Sequence, residues 1–172
     1  METLVAISIL MISIAGPMVL VGNGIRSSAF ARDQVTAFYL AQDAIEAVRY
    51  IRDGNRIEVV THDGDFDSLP EWDDLAQYNC SVNNPCRIDT TSVYNGESGA
   101  ITPTNFNDPL RITAQGVYGY NPIGTETKFR RWISIEPVDD GSKEVEIVVT
   151  VDWSSGIFTR TFSIRENLFY WY

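Results

Sequence analysis

The first residues of the chain limit what it can fold into. METLVAISILMISIAGPMVLVGNGIR carries no formal charge from Thr3 to Ile25, a run of 23 residues. As a helix this run is about 35 Å long, and the hydrocarbon core of a bilayer is about 30 Å thick. The run therefore predicts a membrane-spanning helix. Gly16-Pro17 and Gly22-Asn23-Gly24 predict kinks or unwound turns within it.

A single carboxylate, Glu2, stands at the tip of this apolar run. A secretory signal peptide would carry positive charge at this end and a shorter apolar core. A spanning helix would also avoid an acid, because a charge inside lipid costs roughly 2.5 kcal/mol or more. Glu2 therefore needs either a place at the membrane surface or a partner that compensates its charge.

The helical pattern continues beyond the apolar run. Apolar residues recur at spacings of three, four and seven, which is typical of an amphipathic helix; they are Phe30, Ala37, Phe38, Ala41, Ala44, Ile45, Val48 and Ile51. Arg52 and Gly54 are typical of a helix end. The two segments together predict one helix of about 50 residues, with a membrane stem leading into a packed half.

The remainder of the chain divides into a loop-rich part and a strand-rich part. Asn55 to Asn107 is rich in turn-forming residues and predicts little regular structure. Strands are predicted at Leu110–Tyr120, Phe129–Glu136, Glu144–Trp153 and the following IFTRTFSIRENL, with Ser154-Ser155-Gly156 as the last turn. Alternate residues of Glu144–Trp153 are apolar, as expected for a strand buried on one face.

These patterns predict an α+β fold, with a long N-terminal helix packed on a C-terminal antiparallel sheet. The amphipathic half of the helix is expected to cover the apolar face of the sheet. The predicted domains are a hydrophobic stem at residues 1–28, the amphipathic half at 29–53 and a globular extracytoplasmic head at 54–172.

Charge and motif content argue against several functional classes. The net charge is -10, and residues 53–172 hold 19 acids against 9 bases. This argues against nonspecific binding to nucleic acid, which depends on Lys and Arg. The one histidine, His62, accompanies no nucleophile, phosphate-loop or zinc motif, so an enzyme is not expected. The bases of KFRRW are expected to face solvent or the carboxylates of neighbouring molecules.

Two cysteines, Cys80 and Cys86, flank the turn-forming residues Asn83-Asn84-Pro85. In an extracytoplasmic compartment they are expected to form a disulfide. Free thiols are the alternative. Half of a metal site would need two more soft ligands, and the chain offers only His62.

The acidic stretch DGDFDSLPEWDD has the ligand spacing of a calcium loop. The candidate ligands are Asp63, Asp65, Asp67, Glu71 and Asp74. Ser68 stands where such loops have a turn glycine, Pro70 constrains the backbone, and Asp74 is shorter than the usual final Glu. A solvated acidic loop is therefore the favoured interpretation, with calcium as the alternative and no other cofactor expected.

The segment ETLVAISILMISIAGP resembles the N-terminus of type IV pilins and type II secretion pseudopilins. In that family a glutamate heads an apolar helix that has a proline partway along, and Glu2 and Pro17 match these positions. VTVDWSSGIFTRTFSI is similar to the last hairpin of minor pilins and of the I-type pseudopilin. The resemblance implies a lollipop-like fold, with a helical stem and an α+β head.

The resemblance also implies a function, as a structural subunit of a bacterial type IV pilus or pilus-like filament for adhesion, motility or DNA uptake. Subunits of this class wait in the cytoplasmic membrane and then polymerise with copies of themselves and other pilins into an extracellular filament. Glu2 would pair with the N-terminal amine of a neighbour, and Pro17 would let the stem bend or stretch. An ordinary membrane-helix kink is the alternative for Pro17.

Processing is expected from the resemblance alone. The family implies a prepilin peptidase, an assembly platform and methylation of the N-terminus. Only Met1 precedes Glu2, so the sequence as given shows no leader or cleavage glycine. Two alternatives for the function stay open: a minor pseudopilin of a type II secretion system, and a membrane-anchored extracytoplasmic binding module. Glu2 distinguishes a filament subunit from an anchored module, because an anchor does not need it.

Overall fold

The computed structural model describes residues 2–61, 79–97, 99–104, 106–138 and 144–169. The chain divides into two compact units, Met1–Thr36 and Ala37–Tyr172. The first unit is helical, and the second contains the rest of the same helix together with the sheet.

Helix α1 runs from Glu2 to Thr61 without interruption. The predicted end near Gly54 is therefore wrong. A glycine inside a helix costs only about 1 kcal/mol relative to alanine, and the following residues contain no proline to stop the helix. The unwound turns expected at Gly16-Pro17 and Gly22–Gly24 are also not found, because α1 is helical through both places.

The second unit contains a seven-stranded antiparallel sheet and a short helix. The elements are β1 (Cys86–Ile88), α2 (Thr90–Tyr94), β2 (Ile101–Pro103), β3 (Pro109–Ile112), β4 (Tyr118–Gly119), β5 (Thr125–Pro137), β6 (Glu144–Ser155) and β7 (Phe158–Phe169). β5 is central: β6 pairs with one of its edges and β7 with β6, while β1 and β3 both pair with the other edge. β2 extends β1, and β4 extends β3.

The middle of the chain contains short elements that the sequence did not indicate. The stretch predicted to have little regular structure contains β1, α2 and β2, each of three to five residues. The single strand predicted at Leu110–Tyr120 is instead the short pair β3 and β4, joined by a turn in which Gly116 has a φ of +82°. Strands of two to four residues are too short to show a periodicity in sequence, and pairing with neighbouring strands holds them in place.

The predicted packing of the amphipathic helix on the apolar sheet face is confirmed. The buried apolar residues that α1 contributes to the core are Ala37, Leu40, Ala41, Ala44, Ile45, Ala47 and Val48. On β6 the alternating residues Val145, Ile147, Val149, Val151 and Trp153 are all buried in the same core. Four of the seven helical residues are alanines, which allow the helix backbone to approach the sheet closely. The α+β prediction therefore holds.

The last hairpin turns slightly later than predicted. Ser154 and Ser155 belong to β6, and the pair Ser155–Phe158 closes a two-residue turn of Gly156 and Ile157. Gly156 has a φ of +65°, a backbone conformation that glycine adopts at little cost. A positive φ at the first central residue is typical of the type II′ turn of hairpins.

Candidate functional site

The apolar part of α1 carries the strongest functional signal in the chain. Its large apolar side chains from Leu4 to Ile25 are 55–74% exposed. The helix contains an 18-residue window of mean hydropathy 2.5, none of it buried, and it is long and apolar enough to cross a membrane. A helix that is apolar all round is stable when surrounded by lipid or by other apolar helices.

Two serine side chains within this segment form hydrogen bonds inside the helix itself. The Ser8 hydroxyl donates to the carbonyl oxygen of Leu4 over 2.8 Å, and the Ser13 hydroxyl donates to that of Leu10 over 2.8 Å. Such bonds to the preceding turn give both hydroxyls an acceptor. The two serines are therefore compatible with an apolar medium, in which polar groups need internal partners.

The two predicted assembly residues lie far apart on this helix. Glu2 is exposed in the first turn of α1, where a carboxylate interacts favourably with the helix dipole. Pro17 lies inside the helix, 15 residues further along, which is about 22 Å. Pro17 has no N–H, so it cannot donate to the carbonyl of Ser13. The structure does not bring Glu2 and Pro17 together, and their predicted roles stay predictions.

The predicted disulfide is present between Cys80 and Cys86, whose Cα atoms are 5.3 Å apart. The turn between them closes as expected, with the Asn84 N–H donating to the Ser81 carbonyl oxygen over 3.1 Å. The loop is fixed to β5, because the Ile135 N–H donates to the carbonyl oxygen of Cys80. The disulfide thus joins the segment before β1 to the first residue of β1, and the hydrogen bond from Ile135 joins the same segment to the central strand.

The predicted calcium ligands Asp63, Asp65, Asp67, Glu71 and Asp74 lie outside the described residues. This site stays a prediction. Within the ranges that the structure describes, no group of His, Cys, Asp and Glu side chains is placed to hold a metal ion.

The three basic residues of KFRRW differ in environment: Lys128 is exposed, Arg130 is partly exposed and Arg131 is buried. The Arg130 guanidinium donates twice to the carboxylate of Asp152, over 2.9 and 2.7 Å. Arg131 is 1% exposed, and Lys128 lies 5.8 Å from the centre of the Phe129 ring. The prediction that they face solvent or neighbouring molecules is therefore wrong for Arg131, which is buried. Arg130 is 33% exposed, and its charge is paired within its own chain.

Arg131 connects three parts of the second unit. Its Nη1 donates to the carbonyl oxygen of Leu40 over 2.8 Å and to Asp43 Oδ2 over 3.1 Å. Its Nη2 donates to the carbonyl oxygen of Ile88 over 2.8 Å. A buried charge is tolerated when it is paired and hydrogen-bonded. The guanidinium therefore ties the amphipathic half of α1 to β5 and β1.

The alternation of buried residues along β5 could have predicted from the sequence that Arg131 is buried. Phe129, Ile133 and Ile135 are buried on one face of β5, and Arg131 falls on the same face. Its burial follows from strand alternation, whereas its carboxylate partner lies 88 residues away in sequence. That partner is visible only in the fold.

A polar cleft of about 550 Å³ lies between α2 and the turns around β4. Its acidic residues already accept hydrogen bonds from within the chain. The Asp89 carboxylate accepts from the N–H groups of Thr91 and Tyr120, and Glu97 accepts from the Ser92 hydroxyl. These bonds hold α2 against the sheet, so the carboxylates contribute to the fold of this region.

The resemblance to pilins therefore depends on the N-terminal helix and on its packing against an antiparallel sheet. Comparison with protein-family models, with curated proteins and with solved structures found no match to this chain.

Proposed function

We propose that this chain is a structural subunit of a type IV pilus or a related pilus-like filament. In this proposal the apolar part of α1 anchors the subunit in the cytoplasmic membrane before assembly. The subunit then polymerises with copies of itself and with other pilins. The assembled filament would be extracellular. Peptidase processing, N-terminal methylation and an assembly platform belong to the proposal.

The observation that carries the proposal is the combination of a fully exposed apolar helix with a carboxylate at its tip. The exposed apolar side chains of α1 from Leu4 to Ile25 need an apolar environment. A bundle of identical helices in a filament core provides one, as lipid does. Glu2 favours the filament, because a carboxylate in an apolar core is stable only beside a positive partner.

Glu2 would set the register of each new subunit. A subunit that docks with Glu2 beside the N-terminal amine of a neighbour compensates the charge, and a subunit displaced by one turn does not. Breaking a buried ion pair costs roughly 3–5 kcal/mol, which corresponds to at least about a hundredfold in an association constant. Assembly should therefore depend strongly on this one side chain.

The test compares filament assembly of wild-type protein and Glu2→Ala in the native host. Filaments are sheared from the cell surface and detected by immunoblot and electron microscopy, and the membrane fraction is measured in parallel. We expect wild-type protein in the sheared fraction and Glu2→Ala in the membrane alone. Glu2→Asp, which keeps the charge on a shorter side chain, should give an intermediate yield.

The matched control is Asp53→Asn, which removes an exposed carboxylate from the same helix. It should assemble like the wild type. If Glu2→Ala enters filaments normally, the proposed role of Glu2 is wrong. If wild-type protein stays in the membrane under conditions in which the host makes filaments, the subunit proposal fails, and a membrane-anchored binding module becomes the better account.

A further inference from the structure

Three highly exposed apolar side chains of the second unit lie in or beside two turns. Ile123 and Ile157 are each 93% exposed, and Phe158 is 61% exposed. Single exposed apolar residues are common on protein surfaces. A group of them at one place on the fold is a sign of an interaction surface.

The strand register places these residues at one end of the sheet. Phe129 of β5 pairs with Trp153 of β6, so the first residues of β5 lie beside the last residues of β6. Ile123 lies two residues before the start of β5, Ile157 lies in the turn after β6, and Phe158 is the first residue of β7. We call Ile123, Ile157 and Phe158 the tip surface.

Cationic side chains lie next to the tip surface. Arg160 lies over the Phe158 ring, with Cζ 5.9 Å from the ring centre, and Lys128 is near the start of β5. Arg111 donates to the carbonyl oxygens of Pro122 and Gly124 and forms an ion pair with Glu126. This arginine therefore fixes the turn that presents Ile123.

The opposite end of the same strands carries acidic side chains. It carries the glutamates Glu136, Glu144 and Glu146, of which Glu136 and Glu146 are cross-strand neighbours. β6 has 12 residues and is about 40 Å long. The two ends of the sheet thus differ in charge and are well separated.

Within the second unit, the first residues of α1 lie toward the same end of the sheet as the tip surface. The Phe38 and Phe162 rings are 5.8 Å apart, and Arg49, later in the helix, donates to Glu166, later in β7. The helix and β7 therefore advance in the same direction, away from Phe158.

We propose that the tip surface contacts the headgroup region of the membrane that α1 crosses before assembly. This inference rests on the membrane-crossing part of the proposed function. Ile123, Ile157 and Phe158 would insert at the headgroup boundary, and Lys128 and Arg160 would interact with lipid phosphates. The acidic end would face away from an anionic leaflet. The contact would orient the subunit while it waits in the membrane.

The test uses full-length protein in nanodiscs of anionic and zwitterionic lipid at one copy per disc, so that a second copy cannot cover the surface. A gadolinium-labelled lipid is added, and amide NMR signals are recorded. The signals of Gly124 and Gly156 should lose most of their intensity, while those of Glu136 and Glu144 are retained. Gly24 and Arg26 report separately whether α1 is inserted.

The variant Ile123→Ser, Ile157→Ser removes apolar surface without removing buried contacts. It should restore the Gly124 and Gly156 signals. The matched control is Val82→Ser, which changes a side chain that is 63% exposed near the acidic end, where the Val82 N–H donates to Glu136. This control should leave the broadening unchanged.

Three results would overturn the inference. If the Gly24 signal broadens and those of Gly124 and Gly156 do not, α1 is anchored in the membrane but the tip surface does not contact lipid. If none of the three signals broadens, neither the membrane anchoring nor the lipid contact holds. Protection of the tip surface that appears only at two copies per disc would assign it to a second copy of this chain.

Discussion

At the level of single residues, the ionisation of Tyr120 is set by burial and by two neighbouring arginines. Its hydroxyl donates to the carbonyl oxygen of Arg131 over 2.9 Å, and its ring lies 5.1 Å from the guanidinium carbon of Arg87. Burial raises the pKa of Tyr120 to about 12, against the lowering effect of the two arginines. The phenol is therefore kept neutral by its surroundings.

This pKa predicts a loss of stability at high pH. Between pH 10 and 12 the unfolded chain releases the Tyr120 proton and the folded chain keeps it, so the free energy of unfolding falls as the pH rises. The stabilisation is fully present below pH 10. Two pKa units correspond to about 3 kcal/mol. Urea unfolding of the full chain in detergent micelles, measured across this range, checks the expectation.

Tyr120→Phe should flatten this part of the pH profile and cost about 1 kcal/mol below pH 10 through the lost hydrogen bond. The control Tyr39→Phe, at an exposed position, should keep the wild-type profile. An equal slope in Tyr120→Phe and wild type would show that other groups cause the alkaline loss.

At the level of elements, the extension of α1 beyond Gly54 has a direct consequence. A Cβ added at Gly54 would meet no atom within 4 Å, and the helix continues to Thr61. Gly54→Ala should therefore raise the free energy of unfolding by up to about 1 kcal/mol through helix propensity. Denaturant unfolding of the full chain in micelles measures the change.

Gly156→Ala is the contrasting variant, since its φ of +65° is strained for alanine. It should destabilise the chain by about 1 kcal/mol or more. If Gly54→Ala were also destabilising, the helix would end at Gly54 in a left-handed cap, as the sequence pattern suggested.

The long elements were predictable, and the short ones were not. The amphipathic half of α1 and strand β6 each repeat an apolar period over ten residues or more, and both were predicted. β1, with three residues, and β4, with two, have no such repeat. Their conformation comes from pairing with β5 and β3, which is a tertiary effect.

At the level of the whole molecule, the division at Ala37 predicts which fragment folds. The fragment 37–172 keeps the helical residues that cover the sheet, whereas 54–172 loses all of them. Loss of Leu40, Ile45 and Val48 alone removes roughly 5–9 kcal/mol of burial, which is comparable to the entire stability of a domain.

We therefore expect the fragment 37–172 to be soluble without detergent and to unfold cooperatively. The fragment 54–172 should aggregate, because its sheet face is uncovered. Gel filtration and near-ultraviolet circular dichroism compare the two. A folded, monomeric 54–172 would contradict the view that the amphipathic half of α1 belongs to the core.

The sequence by itself determined the apolar helix, its amphipathic continuation, the half-buried strand β6 and the α+β class. These features depend on periodicity and composition, which are local along the chain. The tertiary structure decided the short strands, the partners of Arg131 and the placement of Ile123 and Ile157 at the same end of the sheet. Each of these depends on residues far apart in sequence, which approach one another only when burial of the common core brings their strands and helix together.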